Sequence, residues 1–338
     1  MRVVPLNKKQ CRLINKQGGR IRVAGKYIIC IPFAHRRNAN TGVNIDAKSS
    51  VQTYLKNASV ALCSAKYYNP ECDVALITNL TQDEVPFEYR KIFNKNNISI
   101  LHVPYSNFLF PDKYLWSLAF YKLCVLKYLT TTDYEAVCYM DTDVYVQGSF
   151  DNIWEECKEH ILLYDINHGL GTKDYQVLCD EMTRFSGKSF FLTHYGGEFF
   201  AASLERARMF CAECETIYRK MVMTSFVTTK GDEFILSLAA RHLHNMVKNA
   251  GAYVFRFWTS ASFRYVSTCY QYNRIVVLHV PSAKEKGIIR IYDKYVSKGK
   301  IPNDKVCWRL LRLTHITLDD RIRYIIKKLL MRIGVCRE

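Results

Sequence analysis

Asp141 and Asp143 are the residues whose types and spacing point most directly to chemistry. They stand two positions apart, after the apolar run Ala136–Met140 and before Val144–Val146. Residues i and i+2 of an extended chain point to the same side, so the two carboxylates are predicted to lie side by side. Such anions repel each other unless a cation lies between them, and oxygen ligands suit Mg²⁺ or Mn²⁺. The apolar flanks favour a metal site that could neutralise a diphosphate over the alternative of a solvated turn.

A second candidate segment contains Gly196, Gly197 and Glu198, which lead into an apolar run. Paired glycines allow the backbone to approach a ligand closely. A carboxylate in apolar surroundings needs a partner, so a substrate hydroxyl or a basic residue is expected beside Glu198. The alternative is a tight turn that contains a structural ion pair.

Two further segments carry polar residues at predicted element ends. Asp232 and Glu233 begin a predicted helix, where they could contact a ligand or simply complement the helix dipole. His279 ends a predicted strand, and the basic loop that follows, with Lys284 and Lys286, could close over a diphosphate. A purely structural role is the alternative for this histidine.

The elements that must position these residues alternate between strand and helix along the first 146 residues. The predicted strands cover 26–33, 74–78, 98–103 and 136–140, and the predicted helices cover 47–68, 87–93 and 114–129. This alternation predicts an α/β domain with a mostly parallel sheet. Because ligands bind beyond the carboxyl ends of such strands, the polar loop 34–42 and the aspartate pair are expected to share one crevice.

Composition narrows the classes of protein that fit. The 338 residues allow one large domain or two small ones, and the net charge of +17 implies a polyanionic partner such as a phosphate-rich ligand, a membrane surface or nucleic acid. The 13 cysteines are spread along the chain, which predicts reduced thiols in a cytosol-like compartment. There is no apolar run of transmembrane length and no signal peptide, so a cytoplasmic protein is expected.

The chain is predicted to have three parts: a basic arm over 1–25, a catalytic domain over 26–290 and a basic helical extension over 291–338. In the extension, residues 318–333 place apolar side chains at helical spacing among basic ones. The helix could pack on the domain, or it could lie on an anionic membrane surface.

The ordered motifs over residues 26–290 resemble those of the GT-A glycosyltransferases. They are most similar to the glycogenin-like family 8, which includes bacterial lipooligosaccharide galactosyltransferases. The helix beginning Lys122-Leu123 resembles the family's Lys-Leu helix, and residues 134–143 resemble its Y-x-x-V-x-Y-x-D-x-D strand. Gly196-Gly197-Glu198 stands at its Asn-x-Gly turn, Asp232-Glu233 at its Asp-Gln pair, and residues 279–287 at its closing H-x-x-G-x-x-K-P-W segment.

The resemblance implies a GT-A type, Rossmann-like mixed sheet flanked by helices, with the basic helical tail appended. It implies a metal-dependent enzyme that moves a sugar from a nucleotide-diphosphate sugar, a UDP-sugar, to a glycan, glycolipid or glycoprotein acceptor with retention. Mn²⁺ or Mg²⁺ is the implied metal.

The resemblance also implies roles for individual residues. The implied Mn²⁺ ligands are Asp141, Asp143 and His279, and the groups facing the donor phosphates are Lys122, Lys284 and Lys286. The implied uridine loop includes Ile31, Pro32, Phe33, Ala34, Arg37 and Asn38. Further implied donor-binding positions are Thr142, Gly196, Gly197 and Gly287. The implied catalytic contacts to the transferred sugar are Asp232, Glu233 and Glu198.

Two other functions fit parts of the pattern. A metal-dependent nucleotidyltransferase would also use paired carboxylates on an α/β sheet, but it should carry a Gly-rich N-terminal signature, which this sequence lacks. A basic nucleic-acid-binding protein would explain the net charge and should show strongly salt-dependent binding. The basic residues are concentrated at the two ends of the chain, which argues against it, and no nucleic-acid partner is expected.

Overall fold

A computed structural model describes residues 26–36, 47–111, 114–166, 172–189, 191–257, 275–313 and 318–333. The predicted basic arm over 1–25 lies outside the described residues. The strands of the described part are β1 Tyr27–Phe33, β2 Asp73–Thr78, β3 Ser99–His102, β4 Ala136–Met140, β5 Val144–Val146, β6 Ile161–Asp165, β7 Tyr195–Ser203, β8 Val247–Asn249, β9 Val254–Arg256 and β10 Val277–His279. Its α-helices are α1 Ala47–Tyr68, α2 Phe87–Lys95, α3 Tyr121–Leu129, α4 Asp151–Cys157, α5 Lys173–Ser186, α6 Leu204–Met223, α7 Asp232–His242, α8 Gly287–Lys298, α9 Asp304–Leu310 and α10 Leu318–Arg332.

Two sheets organise the chain. The larger sheet has seven strands in the order β3-β2-β1-β4-β7-β6-β8, and the smaller has three in the order β5-β10-β9. Strands β1 to β4 pair in parallel, whereas β7 runs antiparallel to both β4 and β6. The predicted α/β fold with a mixed sheet is therefore confirmed.

The central strands are buried on both faces. Ile29 and Ile31 of β1 pack into one apolar cluster, while Ile28 and Cys30 pack into another on the opposite face. The residues of β4 divide between the same two clusters. A strand covered on both sides has to be apolar at every position, which explains its uninterrupted hydrophobic sequence.

The helix predicted over 114–129 begins only at Tyr121. The segment before it forms turns in which Trp116 has a φ of 63°, a backbone conformation that an α-helix excludes. Tertiary hydrogen bonds hold these turns: Tyr105 donates its hydroxyl to the Ser117 carbonyl at 2.6 Å, and the Thr228 amide donates to the Tyr114 hydroxyl at 2.7 Å. These long-range bonds hold residues 114–120 in turns, so the predicted start of the helix at residue 114 is wrong.

The C-terminal elements differ in how they are packed. Helix α8 crosses the predicted domain boundary at residue 290, and its Ile291 and Tyr292 are buried in the core. Helix α10 instead leaves most of its apolar side chains exposed. Within the part of the chain that the structure describes, no helix combines the length and apolar character needed to cross a membrane. The ten cysteines in that part have free thiols, and all except Cys179 are buried.

Candidate active site

Thirteen of the predicted site residues line one cleft of about 660 Å³ at the carboxyl ends of β1 and β4. Its walls come from the end of β1, the turn between β4 and β5, strand β7, the start of α7 and the segment after β10. The sequence-predicted residues that line it are Pro32, Phe33, Ala34, Lys122, Asp141, Thr142, Asp143, Gly197, Glu198, Asp232, Glu233, His279 and Lys284.

Asp141, Asp143 and His279 form a cluster in which one potential ligand atom from each residue lies within 4.8 Å of the others. The aspartates belong to the turn that joins the two sheets, and His279 ends β10. The antiparallel pairing of His279 with Val144 brings the imidazole to this turn, and the Val280 amide donates to the Asp143 carbonyl at 2.9 Å. Two carboxylates and an imidazole suit Mn²⁺ or Mg²⁺ and leave other coordination positions for a ligand, so these residues fit a divalent metal.

Cationic side chains surround the buried carboxylate of Asp143. Burial by itself would raise the pKa of Asp143, but Lys284 at 3.1 Å and the imidazole of His279 hold that pKa well below its usual range. Burial would lower the pKa of His279, yet Asp143 and Glu198 outweigh it and raise that pKa to about 9. The side chains therefore favour the ionised form of the aspartate.

Lys122 connects the metal cluster to the start of α7. Its Nζ lies 2.9 Å from Asp141 Oδ1 and 3.4 Å from Asp232 Oδ2. A side chain at Gly197 would place its Cβ 2.1 Å from that Asp232 oxygen and 2.8 Å from the lysine nitrogen, so the glycine makes room for this ion pair. Burial raises the pKa of Asp232 to about 7, although Lys122 opposes the shift.

Glu198 lies behind the metal cluster. Its Oε1 accepts hydrogen bonds from His279 Nδ1 and from Arg256 Nη1, each at 3.2 Å, and only 2% of the glutamate is exposed. Burial would raise the pKa of this carboxyl, but the bond from His279 and the charges of His279 and Arg256 lower it to about 2. The partner expected from the sequence is therefore a pair of basic side chains.

Glu233 also lines the cleft, and its neighbours include residues to which the sequence had assigned no role. The buried His194 places Nε2 3.0 Å from the Glu233 carboxylate and Nδ1 3.6 Å from Asp174. Lys230 forms an ion pair with the same Asp174. Trp116 and Arg256 also line the cleft. His194, Lys230 and Trp116 stand singly in irregular segments, and Arg256 ends a strand of three residues. None of them carries a spacing signal, so only the fold could identify them.

Other predicted site residues lie away from the cleft or outside the described residues. Ile31 is part of the buried core, and Gly196 lies in β7 beneath Glu198. Lys286 is exposed outside the cleft lining, and Gly287 packs against α9, where an added Cβ would lie 2.9 Å from the Leu310 carbonyl oxygen. Arg37 and Asn38 are outside the described residues.

Comparisons with known proteins agree with this geometry. Residues 38–163 match the model of glycosyl transferase family 8. The fold is similar to that of mouse xyloside xylosyltransferase 1 in its apo form, at a TM-score of 0.50 and 8% identity over 76% of this chain and 98% of that one. It is also similar to the galactosyltransferase LgtC in complex with donor and acceptor sugar analogs, at a TM-score of 0.50 and 14% identity over 88% of this chain and 99% of that one. A search of curated proteins gives no match.

The chain has the GT-A glycosyltransferase fold. The residues that match the model of glycosyl transferase family 8 include Lys122, Asp141 and Asp143. The resemblance inferred from the sequence is thereby confirmed, and neither alternative function gains support from the comparisons.

Proposed function

We propose that this enzyme transfers a sugar from a UDP-sugar to a glycan, glycolipid or glycoprotein acceptor, with retention of configuration and with Mn²⁺ or Mg²⁺ as its metal. The observation that carries the proposal is the convergence of Asp141, Asp143 and His279 with Lys122 and Lys284 in one cleft. The two lysines put positive charge on either side of the metal cluster, where a diphosphate would bind. In the proposed complex, Pro32, Phe33 and Ala34, which line the cleft, contact the uridine.

The reaction breaks the bond between the anomeric carbon and the diphosphate, and the electron pair leaves with the phosphate oxygen. The acceptor hydroxyl bonds to the same face of that carbon, and its proton passes to the departing phosphate. A bound divalent ion would supply charge that stabilises the diphosphate. Lys284 and Lys122 add positive charge there, while Asp232 and Glu233 stabilise the positive charge that develops on the sugar.

Calorimetric titration with UDP tests the donor site. We expect UDP to bind in the presence of Mn²⁺ and to lose that binding in EDTA, because the two aspartates otherwise face the diphosphate without a bridging cation. Since a proton on His279 competes with the metal and the pKa of His279 is about 9, binding should strengthen as the pH rises toward that value. GDP and dTDP serve as matched controls for the base. Failure of all three nucleotides to bind with metal present would contradict the proposal.

The exposed helix α10 supports a second part of the proposal, which is that the enzyme works at an anionic membrane surface from the cytoplasmic side. The exposed apolar side chains of this segment are Leu318, Ile322, Ile325, Ile326, Leu329 and Ile333. The basic residues among them are Arg321, Arg323, Lys327, Lys328 and Arg332. An amphipathic helix of this composition can bury its apolar side chains at the headgroup boundary while its cations bind anionic lipids.

Removal of residues 315–338 is expected to abolish sedimentation with vesicles that contain phosphatidylglycerol and to leave metal-dependent UDP binding unchanged. Neutral phosphatidylcholine vesicles are the lipid control. A protein in which Ile325 and Ile326 are both replaced by serine keeps every basic residue, so it separates the apolar contribution from the charge. Unchanged vesicle binding by the truncated protein would refute this membrane role.

A further inference from the structure

We propose that Glu198 is a positioning residue for the metal, and that its carboxylate holds His279 in the orientation in which the imidazole can bind the ion. This inference rests on the proposed function, since it assumes that Asp141, Asp143 and His279 bind a divalent cation. It assigns Glu198 a role behind the metal in place of direct contact with the transferred sugar.

The two nitrogens of His279 face different partners. Nδ1 is 3.2 Å from Glu198 Oε1, whereas Nε2 is 3.6 Å from Asp143 and 4.0 Å from Asp141. When Nδ1 donates its proton to the glutamate, Nε2 is left with a lone pair directed at the aspartates. Carboxylates that bond to the distal nitrogen of a ligating histidine in this way fix its tautomer and make it a better metal ligand.

The backbone of Glu198 contacts a second member of the metal cluster. The Asp141 amide donates to the Glu198 carbonyl at 3.0 Å, and the antiparallel pairing of Met140 with Phe199 continues the ladder between β4 and β7. Glu198 therefore bonds to two of the three candidate ligands, through its main chain to one and through its side chain to the other. A substitution at this position would remove the side-chain contact to His279 and keep the main-chain bond to Asp141.

The space for the carboxylate depends on the residue two positions earlier. A Cβ at Gly196 would lie 1.7 Å from Glu198 Oε2 and 2.8 Å from a methyl group of Ile166. Contacts that short are impossible, so any side chain at this position would force the glutamate to move. The glycine and the glutamate are thus one structural unit: the first makes room for the second.

Arg256 compensates the buried charge of Glu198. Its Nη1 is 3.2 Å from the same Oε1, and the parallel pairing of β9 with β10 places Arg256 beside His279. A buried carboxylate is costly unless it is paired and hydrogen-bonded, and here both donors come from neighbouring strands of the small sheet. The carboxylate that lies behind the histidine is therefore held from two sides.

Mn²⁺ binding, followed by electron paramagnetic resonance of the free ion with saturating UDP, tests the inference. We expect the dissociation constant for Mn²⁺ to rise by about 10–100-fold in Glu198→Ala, the usual cost of removing such a partner. Glu198→Gln keeps an oxygen acceptor for Nδ1, so its affinity should lie between those of the alanine variant and the wild type. Gly196→Ala, which displaces the carboxylate without removing it, should also weaken Mn²⁺ binding.

Glu135→Gln is the matched control, because Glu135 is an exposed carboxylate at the other end of β4. Thermal unfolding identifies any variant that does not fold. If Glu198→Ala does not fold, the test of the role of Glu198 depends on the Mn²⁺ affinities of Glu198→Gln and Gly196→Ala. Wild-type Mn²⁺ affinity in the folded variants would overturn the inference. If those variants had also lost sugar transfer, the result would indicate that Glu198 contacts the sugar directly. If the wild-type protein itself binds neither Mn²⁺ nor Mg²⁺ with UDP, it is the proposed metal site that fails.

Discussion

Replacement of Asp141 by asparagine is expected to reduce sugar transfer by on the order of 10²–10³-fold, because the ion that would stabilise the negative charge of the departing diphosphate loses a carboxylate ligand. The uncharged amide would be a weaker ligand for a divalent ion, and Lys122 would lose its ion pair with Asp141 and keep the one with Asp232. The loss should be visible as slower release of UDP from a UDP-sugar at saturating Mn²⁺. It should also appear as weaker Mn²⁺ affinity, because the same carboxylate is a proposed ligand.

The same substitution at Asp133 is the control for this experiment. Asp133 precedes β4, so it stands at the opposite end of the strand from the cleft. Asp133→Asn is expected to retain the wild-type rate and metal affinity. Near-normal turnover and Mn²⁺ binding in Asp141→Asn would mean that the aspartate pair is structural, and the proposed metal site would be wrong.

Replacement of Lys122 by methionine is expected to have the second largest effect, on both stability and activity. The lysine side chain is only 16% exposed and lies between Asp141 and Asp232, so the variant leaves two carboxylates facing each other without a cation. Loss of one partner of a buried ion pair costs about 3–5 kcal/mol of the free energy of unfolding. Transfer should fall with it, because Lys122 is a proposed source of positive charge for the diphosphate.

This loss of stability should depend on pH in a defined direction. The pKa of Asp232 is already raised to about 7 in the folded protein, from an ordinary value of 3.8, and Lys122 is the group that limits the rise. Without Lys122, the pKa of Asp232 in the folded protein rises further above its ordinary value. The protonated carboxyl then stabilises the folded protein at low pH, and this contribution is lost as the pH increases from the ordinary pKa through the folded-state pKa. The variant should therefore be destabilised more above neutral pH than in mildly acidic solution, which chemical denaturation at several pH values can measure.

Lys127→Met provides the matched control, since Lys127 is on the same helix and its side chain, which pairs with Glu215, is 41% exposed. Exposed pairs contribute about 0–1 kcal/mol, so this variant should be close to wild type in stability and activity at every pH. Equal behaviour of the two methionine variants would show that Lys122 has no special role in the cleft.

The sequence was sufficient to predict the strands that lead to the cleft. Strands β1 and β4 are buried on both faces, and this burial requires the continuous apolar runs that stand out in the sequence. The carboxylates of Asp141 and Asp143 follow such a run, and the start of α7 at Asp232 was also predicted. These features are local, because a few adjacent residues determine each of them.

Residues 167–193 were predicted from the sequence to form a loop with short helices, whereas the structure has the 14-residue helix α5 within this segment. Thr172 accepts a hydrogen bond from the Tyr175 amide at the start of this helix, and Gly187 ends it with a φ of 73°. Threonine and glycine are common at these two positions, so both ends of the helix were marked in the sequence.

The tertiary structure alone decided which side chains meet. His279 reaches the aspartates because β10 pairs with β5, and Arg256 reaches Glu198 because β9 pairs with β10. The sequence predicted that Gly196 and Gly197 would leave room for a ligand, but the fold fills that room with the side chains of Glu198, Asp232 and Lys122. Local sequence determines whether a segment is a strand or a helix, whereas the partners of a buried charge depend on strand order and register, which form only when distant segments pack together.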